Sequence, residues 1–281
     1  MPAVFLSDRT VLSVSGAEAR DFLQGLVTCD MAKVLPSTPA FGALLAPQGK
    51  ILFDFLIAQD GERFLLDTAR EKAADLLKRL GFYRLRAKVE LADLSAEAKG
   101  EDALAVVALF GDAPAPPAGA IVFDDPRAAG LGRRAIFAVG AARVFGADAR
   151  EVYEAHRIAC GVPAGGLDFA YGDAFPHEAN MDLLHGVAFD KGCYVGQEVV
   201  SRMQHRGLVR KRVVKVALEG EAAPGAEIRA GDIAVGVLGG AQQGNGLATV
   251  RLDRAEDAKG QTMRAGEAQV RVLDREPSGS H

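Results

Sequence analysis

"FDKGCYVGQEVVSRMQHRG", residues 189–207, is the stretch of this sequence that says most about its fold and its chemistry. Cys193 is an isolated cysteine flanked by glycines, with Lys191 two positions before it. In an extended segment, residues two apart point to the same side, so the Lys191 ammonium would favour the Cys193 thiolate. A helix predicted to begin near Gln197 would favour the thiolate further, because a helix N-terminus carries partial positive charge.

Two other roles for Cys193 remain open on spacing alone. Unpaired cysteines are most often small buried hydrophobic residues. A metal or cluster site needs more ligands than the chain offers nearby, since its three cysteines are far apart and no C-x-x-C is present. Nearby histidines make a mixed site conceivable, but lone histidines more often have structural roles, so we predict no metal site. These histidines are His177, His185 and His205.

A cluster of basic residues follows the motif. Such a run is most often a solvated face, but arginine also binds carboxylates and phosphates in a bidentate fork. Aromatic side chains that could stack on bases are missing nearby, so nucleic acid is not expected as a direct partner. The cluster consists of Arg202, His205, Arg206, Arg210, Lys211 and Arg212.

The composition is that of an ordinary globular protein. The chain has 281 residues, 49% of them hydrophobic and 25% charged, a length that suits two or three domains. Its net charge of −4 favours neither nucleic acid nor an anionic membrane, so any anion site must be a local basic patch. We see no signal peptide, no bilayer-spanning apolar run and no disulfide pattern among the three cysteines. These features predict a cytoplasmic protein without a membrane partner.

The first half of the chain has the pattern of an α+β fold. Residues 51–68, "ILFDFLIAQDGERFLLDT", predict a β-hairpin, because two apolar runs flank Asp60-Gly61, a pair suited to a type I′ turn. Leucines with helical spacing precede Gly81, which is expected to end that helix. A hairpin, a helix and further strands together suggest a ferredoxin-like α+β module.

The residue pattern of the second half of the chain changes twice. Residues 111–120, "GDAPAPPAGA", predict a linker or an exposed loop. The stretch "DAREVYEAHRIACGVP" predicts a helix that Asp148 caps and Gly161 helps to end. From about residue 208, short alternating runs between Gly-rich turns predict a small β-barrel.

The segment "KGCYVGQE" resembles the signature of the YgfZ family, the folate-binding proteins of iron–sulfur cluster assembly and repair. Further segments that resemble the family extend over nearly the whole chain. They are "DFLQGLVTCD", "PQGKILFDF", "HRIACGVP", "FPHEAN" and "RMQHRG". The family is in turn similar to the aminomethyltransferase T-protein of the glycine cleavage system. The resemblance therefore implies an α+β, three-domain, T-protein-like arrangement around a central channel that holds folate.

The resemblance and the patterns above together give domain boundaries. Residues 1–45 and 115–207 are expected to form one discontinuous folate-binding domain. Residues 46–114 are expected to form the ferredoxin-like module, and residues 208–281 the C-terminal β-barrel.

The resemblance also implies roles for residues of the signature. The signature cysteine lies in the functional region of the family, so Cys193 is expected to be catalytic, with Lys191 beside it. Gln197 and Tyr194, in the same motif, are expected to contact the cofactor.

The cofactor implied by the resemblance is tetrahydrofolate or another reduced folate. Ala159 in "HRIACG" stands where T-proteins carry an acidic residue, so one polar anchor for a pterin is absent. Glu178 could replace it, because a carboxylate can accept the paired N–H donors of a pterin. Arg202 or Arg206 is expected at the glutamate carboxylates of the folate.

Three functions fit the sequence. The favoured one is a tetrahydrofolate-binding accessory protein for iron–sulfur cluster assembly or repair, with assembly proteins or client enzymes, including tRNA-thiolating radical enzymes, as partners. One alternative is an aminomethyltransferase of the glycine cleavage type, whose chemistry needs no thiol on this protein. The other is a non-catalytic docking scaffold, in which replacement of Cys193 would leave function intact. The sequence does not decide whether the chain is an enzyme.

Overall fold

The computed structural model describes residues 2–95, 99–100, 103–147, 149–207 and 209–274. The chain divides into two compact units. The predicted cap Asp148 and the last residues of the predicted barrel segment, 275–281, lie outside the described residues. Unit 1 comprises Met1–Leu45, Leu52–Arg150 and His185–Val195, and unit 2 comprises Ala46–Ile51, Glu151–Leu184 and Gly196–His281.

The strands of unit 1 form two sheets. One has the order β3-β4-β5-β2-β6 and the other the order β1-β7-β9-β8. The strands are β1 (Ala3–Phe5), β2 (Arg9–Ser15), β3 (Ala40–Leu45), β4 (Ile51–Asp60), β5 (Arg63–Ala69), β6 (Glu90–Asp93), β7 (Leu104–Leu109), β8 (Ile121–Asp124) and β9 (Arg133–Ala138). The helices are α1 (Ala19–Gln24), α2 (Ala73–Arg84) and α3 (Val139–Phe145), with short 3-10 turns at Met31–Lys33, Arg70–Lys72 and Ala129–Leu131.

The main core of unit 1 lies between the five-stranded sheet and the helices α1 and α2. Alternate residues of β4, Phe53, Phe55 and Ile57, face this core because successive side chains of a strand point to opposite faces. Leu76 and Leu80 of α2 meet them, since residues four apart share one face of a helix. Burial of these apolar side chains is the main source of stability for this layer.

The predicted hairpin of β4 and β5 is confirmed, with Asp60 paired to Arg63. Gly61 has φ +58° but Glu62 does not have a positive φ, so the predicted type I′ turn is wrong. The predicted end of α2 at Gly81 is also wrong, because the helix continues to Arg84. The stretch 111–120 is an irregular connection between β7 and β8, as expected.

The pairing of β2 with β5 joins the first segment of the chain to the strands expected in the 46–114 module. One sheet thus contains residues from both predicted domains. The domain boundaries themselves stay a prediction.

Unit 2 contains a closed six-stranded barrel with the order β10-β13-β12-β11-β14-β15, so the predicted C-terminal β-barrel is confirmed. Its interior is filled by small and branched apolar side chains such as Val216, Val235 and Ala248. The strands are β10 (Lys211–Glu219), β11 (Glu227–Ala230), β12 (Ile233–Gln242), β13 (Asn245–Arg251), β14 (Met263–Ala265) and β15 (Ala268–Asp274). The helices are α4 (Arg150–Ala159), α5 (Gln197–Arg206) and α6 (Leu252–Asp257).

A buried ion network attaches α4 to the barrel within unit 2. Arg157 lies 2.6 Å from carboxylate oxygens of both Glu154 and Asp168. The other oxygen of Asp168 accepts the N–H of Gly240 on β12 at 2.7 Å. Arg157 is 1% exposed, so these partners are what allows its charge to be buried. Among the described helices, none is long and apolar enough to cross a lipid bilayer.

Candidate functional site

The KGCY loop, residues 189–195, belongs to unit 1 and contains neither helix nor strand. Cys193 is exposed, so it is not a buried filler. A Cβ added at Gly192 would meet no atom within 4 Å, which leaves the approach to the loop open. An exposed thiol of this kind is accessible to a reactant or to a metal ion.

Lys191, a residue of this loop, is buried, with 8% of its surface exposed. Its ammonium donates to the backbone carbonyls of Gln24 at 2.8 Å, Val27 at 2.7 Å and Cys29 at 2.8 Å. These contacts occupy the three donors of the ammonium. Burial of the amine lowers the pKa of Lys191.

The shared orientation expected for Lys191 and Cys193 is wrong, because the chain bends at residues 189–191 instead of being extended. The Lys191 side chain enters the unit while Cys193 stays at the surface. Lys191 therefore anchors the loop, and its predicted catalytic role stays a prediction.

Thr28 provides a second attachment between the same two segments. Its hydroxyl donates to the carbonyl of Gly186 at 2.6 Å and accepts the N–H of Ala43 at 2.8 Å. Its carbonyl accepts the N–H of Ala188 at 2.9 Å. The turn at residues 24–29 thus holds the chain on the N-terminal side of the KGCY loop. Sequence reasoning missed this support, although "DFLQGLVTCD" was among the segments that carried the resemblance.

Tyr194 carries a polar group that the described part of the chain leaves unsatisfied. The residue is 6% exposed, and its hydroxyl has no hydrogen-bond partner among the described residues. Burial raises the pKa of Tyr194 to about 12. The Lys191 amine lies 5.2 Å from the centre of the Tyr194 ring, which fixes the ring next to the anchor.

Cys29, unlike Cys193, is a buried thiol. It is 3% exposed, and burial raises the pKa of its thiol to about 12. Gly42 leaves room for it, since a Cβ there would lie 2.7 Å from the Cys29 sulfur. Cys29 is therefore a packing residue, and Cys193 is the accessible thiol of unit 1 among the described residues.

Glu178 lines a cavity of about 320 Å³ within unit 2. One oxygen of its carboxylate accepts the N–H of Phe175 at 2.9 Å, and the other has no partner among the described residues. Lys211 lines the same cavity, although the sequence indicated it only as part of the basic cluster. The apolar walls include Leu167, Phe169, Val237 and Leu238. Asp168 and Asp173 line the cavity as well, so it presents three carboxylates and one cationic group against apolar surfaces.

The other predicted folate ligands do not line this cavity: Tyr194 is in the KGCY loop, and the remaining three are on α5. Gln197 is the first residue of the helix, as predicted, and is half-buried. Arg202 pairs with Glu198 at 2.6 Å on the exposed face. Arg206 is exposed in the last turn. Their predicted contacts with folate stay predictions.

The histidines near the motif have structural positions or lie at the surface. The buried His177 ring lies 2.9 Å from the side-chain oxygen of Gln204, while His185 and His205 are exposed. Within the described residues, no group of three or more His, Cys, Asp or Glu side chains is arranged to hold a metal ion.

Comparison with known proteins gives matches to assembly factors. Human iron–sulfur cluster assembly factor IBA57, mitochondrial, is 35% identical over 235 residues, which cover 75% of this chain and 65% of the relative. The IBA57 homologue of Mycosarcoma maydis is 38% identical over 228 residues, which cover 74% of this chain and 55% of the relative. The chain is similar to the IBA57 assembly factors. It spans between about half and two thirds of the length of these relatives.

The mitochondrial names of the IBA57 relatives correct one prediction. The absence of a signal peptide, a bilayer-spanning run and a disulfide pattern predicts a cytoplasmic protein, whereas these relatives are named as mitochondrial proteins. The cytoplasmic prediction is therefore wrong.

Two further matches concern the fold. Residues 210–276 match the family model of the CAF17 C-terminal beta-barrel domain, in agreement with the barrel of unit 2. The glycine cleavage system aminomethyltransferase T from Bartonella henselae superposes with a TM-score of 0.75 at 16% identity, over 98% of this chain and 85% of that one. The predicted T-protein-like α+β fold is confirmed by this match.

Proposed function

We propose that this chain is an iron–sulfur cluster assembly factor of the YgfZ and IBA57 group and that Cys193 is its working residue. The observation that carries the proposal is the exposure of Cys193 on the KGCY loop. Lys191, two residues before it in the same loop, is anchored by three hydrogen bonds. Similarity to the IBA57 assembly factors supports it. The anchored neighbour limits the motion of the loop, and the open surface gives a partner access to the sulfur.

The chemistry of a thiol fits the handling of iron or sulfide. Loss of the Cys193 proton to solvent gives a thiolate, which is the form that binds iron or attacks sulfur. A cluster or its components would be the cargo of the protein, held transiently by Cys193 and then passed to a client. One exposed thiol cannot complete the ligand set of a cluster, so the partner protein supplies the remaining ligands.

We propose a reduced folate as the cofactor, with its pterin in the cavity of unit 2. The free carboxylate oxygen of Glu178 suits the N–H donors of the pterin, and Phe169 offers an apolar surface. Lys211 provides a cation for an anionic part of the ligand. At about 320 Å³, the cavity lies at the lower end of the ~300–1,000 Å³ of small-molecule sites, so it suits a bicyclic head group. Arg202 or Arg206 remains our proposal for the glutamate carboxylates.

Complementation tests the role of Cys193. Cells that lack their own IBA57-type factor should regain the activity of iron–sulfur enzymes with the wild-type chain and not with Cys193→Ala. Cys160→Ala is the matched control, because Cys160 is half-buried outside the KGCY loop and should still complement. Full rescue by Cys193→Ala would instead support the docking scaffold.

Calorimetry tests the cofactor separately. Tetrahydrofolate should bind the wild-type chain, and Glu178→Gln should weaken binding about tenfold, because the amide replaces one acceptor oxygen by a donor. Salt should weaken binding as well, since ion pairs at an accessible site are screened. Absence of heat, or equal affinity of Glu178→Gln, would refute the folate proposal.

An aminomethyltransferase is the second candidate, and the superposition with aminomethyltransferase T favours it at the level of the fold. Incubation with an aminomethylated lipoyl carrier protein and tetrahydrofolate should give no turnover under our first proposal. Turnover that survives Cys193→Ala would favour the transferase.

A further inference from the structure

The basic tip, residues 78–88, "KRLGFYRLRAK", covers the end of α2 and the turn after it in unit 1. Helix α2 packs on the core through Leu76 and Leu80, and the chain returns to the core at Val89. Between these points Tyr83 and Ala87 pack partly against the core, and the other residues of the tip are exposed to solvent. Its cations are Lys78, Arg79, Arg84, Arg86 and Lys88, and the stretch contains no acidic residue.

Two large apolar side chains of the basic tip are exposed. Phe82 is 64% exposed and Leu85 is 88% exposed. A Cβ added at Gly81 would meet no atom within 4 Å, so the neighbourhood of Phe82 is open. Exposed apolar side chains surrounded by charges are typical of surfaces that bind a partner.

Leu85 also has an unfavourable backbone conformation. Its φ is +43°, a region that a residue with a Cβ adopts rarely and at a cost in energy. Glycine would adopt this φ freely. A strained residue that also exposes a leucine side chain has no folding benefit from that side chain, which suggests that the side chain is kept for contact with another molecule.

The cations of the basic tip are available to a ligand. None of the five forms an ion pair with any acidic side chain in the described ranges, and all are exposed. The tip is held in place at one end, because the Lys88 N–H donates to the carboxylate of Glu18 at 2.8 Å. The binding groups are therefore presented on a supported turn and need little ordering when a partner binds.

We propose that the basic tip is the docking surface for an acidic protein segment that carries large apolar side chains. The proposal rests on the assembly function proposed above, since a protein that passes a cluster onward must recognise a protein partner. Carboxylates of the segment would pair with the arginines, and its apolar side chains would cover Phe82 and Leu85.

Charge distribution favours a protein segment over an extended polyanion. With +5 in the basic tip, a chain of net charge −4 carries −9 elsewhere. A bilayer or a long nucleic acid would meet that remaining negative charge, whereas a short segment meets the tip alone. The apolar face of α2 is buried in the core, so the helix cannot lie in a membrane interface.

Fluorescence anisotropy with a labelled short peptide of glutamate, aspartate, leucine and phenylalanine tests the surface on the full chain. One control peptide has amides in place of the acids, and another has serine in place of the apolar residues. We expect the acidic apolar peptide to bind tighter than either control by about tenfold or more, with affinity that falls as salt rises. Equal affinities for the three peptides, or no binding of the acidic one, would overturn the proposal.

Variants separate docking from folding. Leu85→Gly should fold at least as stably as the wild type, because it relieves the φ of +43°, yet bind the peptide about tenfold more weakly. Arg84→Glu with Arg86→Glu should also weaken binding about tenfold or more. The matched control is Arg143→Glu with Val144→Ser on α3, which removes an exposed cation and an 89% exposed apolar side chain outside the tip and should bind normally.

Further experiments identify the class of molecule that binds the basic tip and separate this proposal from the proposed role of Cys193. Tighter binding to phosphatidylserine–phosphatidylcholine vesicles or to single-stranded RNA than to the peptide would overturn the choice of a protein partner. In the complementation assay, Leu85→Gly should fail although iodoacetamide still labels its Cys193 at the wild-type rate. Full complementation by Leu85→Gly would overturn the docking role, whereas rescue by Cys193→Ala would overturn only the proposed function.

Discussion

Replacement of Tyr194 by Phe should make the free protein more stable but less active in the complementation assay. The Tyr194 hydroxyl is buried without a hydrogen-bond partner among the described residues. A buried donor that has given up its bond to water without a replacement destabilises the fold. Phe keeps the ring that lies 5.2 Å from the Lys191 amine, so the substitution removes the oxygen and little else.

The expected change in the free energy of unfolding follows from the loss of the hydroxyl alone. An unsatisfied buried polar group costs about 1–3 kcal/mol, and the vacated volume of one oxygen atom offsets part of the gain. We therefore expect Tyr194→Phe to raise the free energy of unfolding by about 1 kcal/mol. In a chain of this size, that corresponds to a rise in Tm of ~2–4 °C.

Urea unfolding followed by far-UV circular dichroism measures the difference, since the chain has no tryptophan to report it. Tyr153→Phe is the control, because Tyr153 is also buried but its hydroxyl is not among the buried polar atoms that lack a hydrogen-bond partner. That variant should lose stability.

The pH dependence gives an independent check. Burial raises the pKa of Tyr194 from 10.0 to about 12. The folded state thus holds the phenol proton more tightly than the unfolded state does, and this contribution to stability is lost as pH rises from 10 through 12. Tyr194→Phe lacks this alkaline loss, so its advantage should widen across that window. If the variant is less stable than the wild type at neutral pH, the hydroxyl has a partner and our reasoning is refuted. If it complements as well as the wild type, the hydroxyl does not serve function.

Three other predictions concern stability and reactivity. Lys191→Met should lower the free energy of unfolding by about 3 kcal/mol in a urea titration, because three carbonyls lose a charged donor; an unchanged midpoint would contradict the anchoring role. Burial by itself raises the pKa of Asp125, but the guanidinium of Arg127 holds it well below its usual range. This stabilisation is present above pH 3.8 and is lost as pH falls toward the lower folded-state pKa, so acid unfolding monitored by circular dichroism should show a weaker pH dependence in Asp125→Asn. Iodoacetamide should modify Cys193 faster than Cys29 near neutral pH, as judged by peptide mass spectrometry, and the reverse order would sink the assignment of the accessible thiol.

Local patterns predicted the elements of this fold better than their ends. The hairpin at Asp60-Gly61 follows from two alternating apolar runs and a turn pair, all within one short stretch. Helix α2 does not end at Gly81, because Tyr83, which follows the glycine, also packs against the core. The barrel was predictable because each of its short strands carries its own alternation.

The candidate site was less predictable, because its geometry depends on contacts between distant segments. The spacing of Lys191 and Cys193 suggested a shared side, but the carbonyls that bind the Lys191 ammonium belong to residues 24–29. Nothing in the local sequence indicates these acceptors. The same holds for Lys211, which meets Glu178 in one cavity only through the tertiary fold.

The attachment of the KGCY loop to the turn at residues 24–29 also sets the order in which the protein can mature on the ribosome. Unit 1 needs Lys191 to cap carbonyls that were synthesised more than 160 residues earlier. Until then the nascent chain presents that turn without its cation, together with the thiol of Cys29. Such long-range closure is slow, and incomplete intermediates are prone to aggregate. Unit 1 should therefore complete its fold only after residues 189–195 have left the exit tunnel.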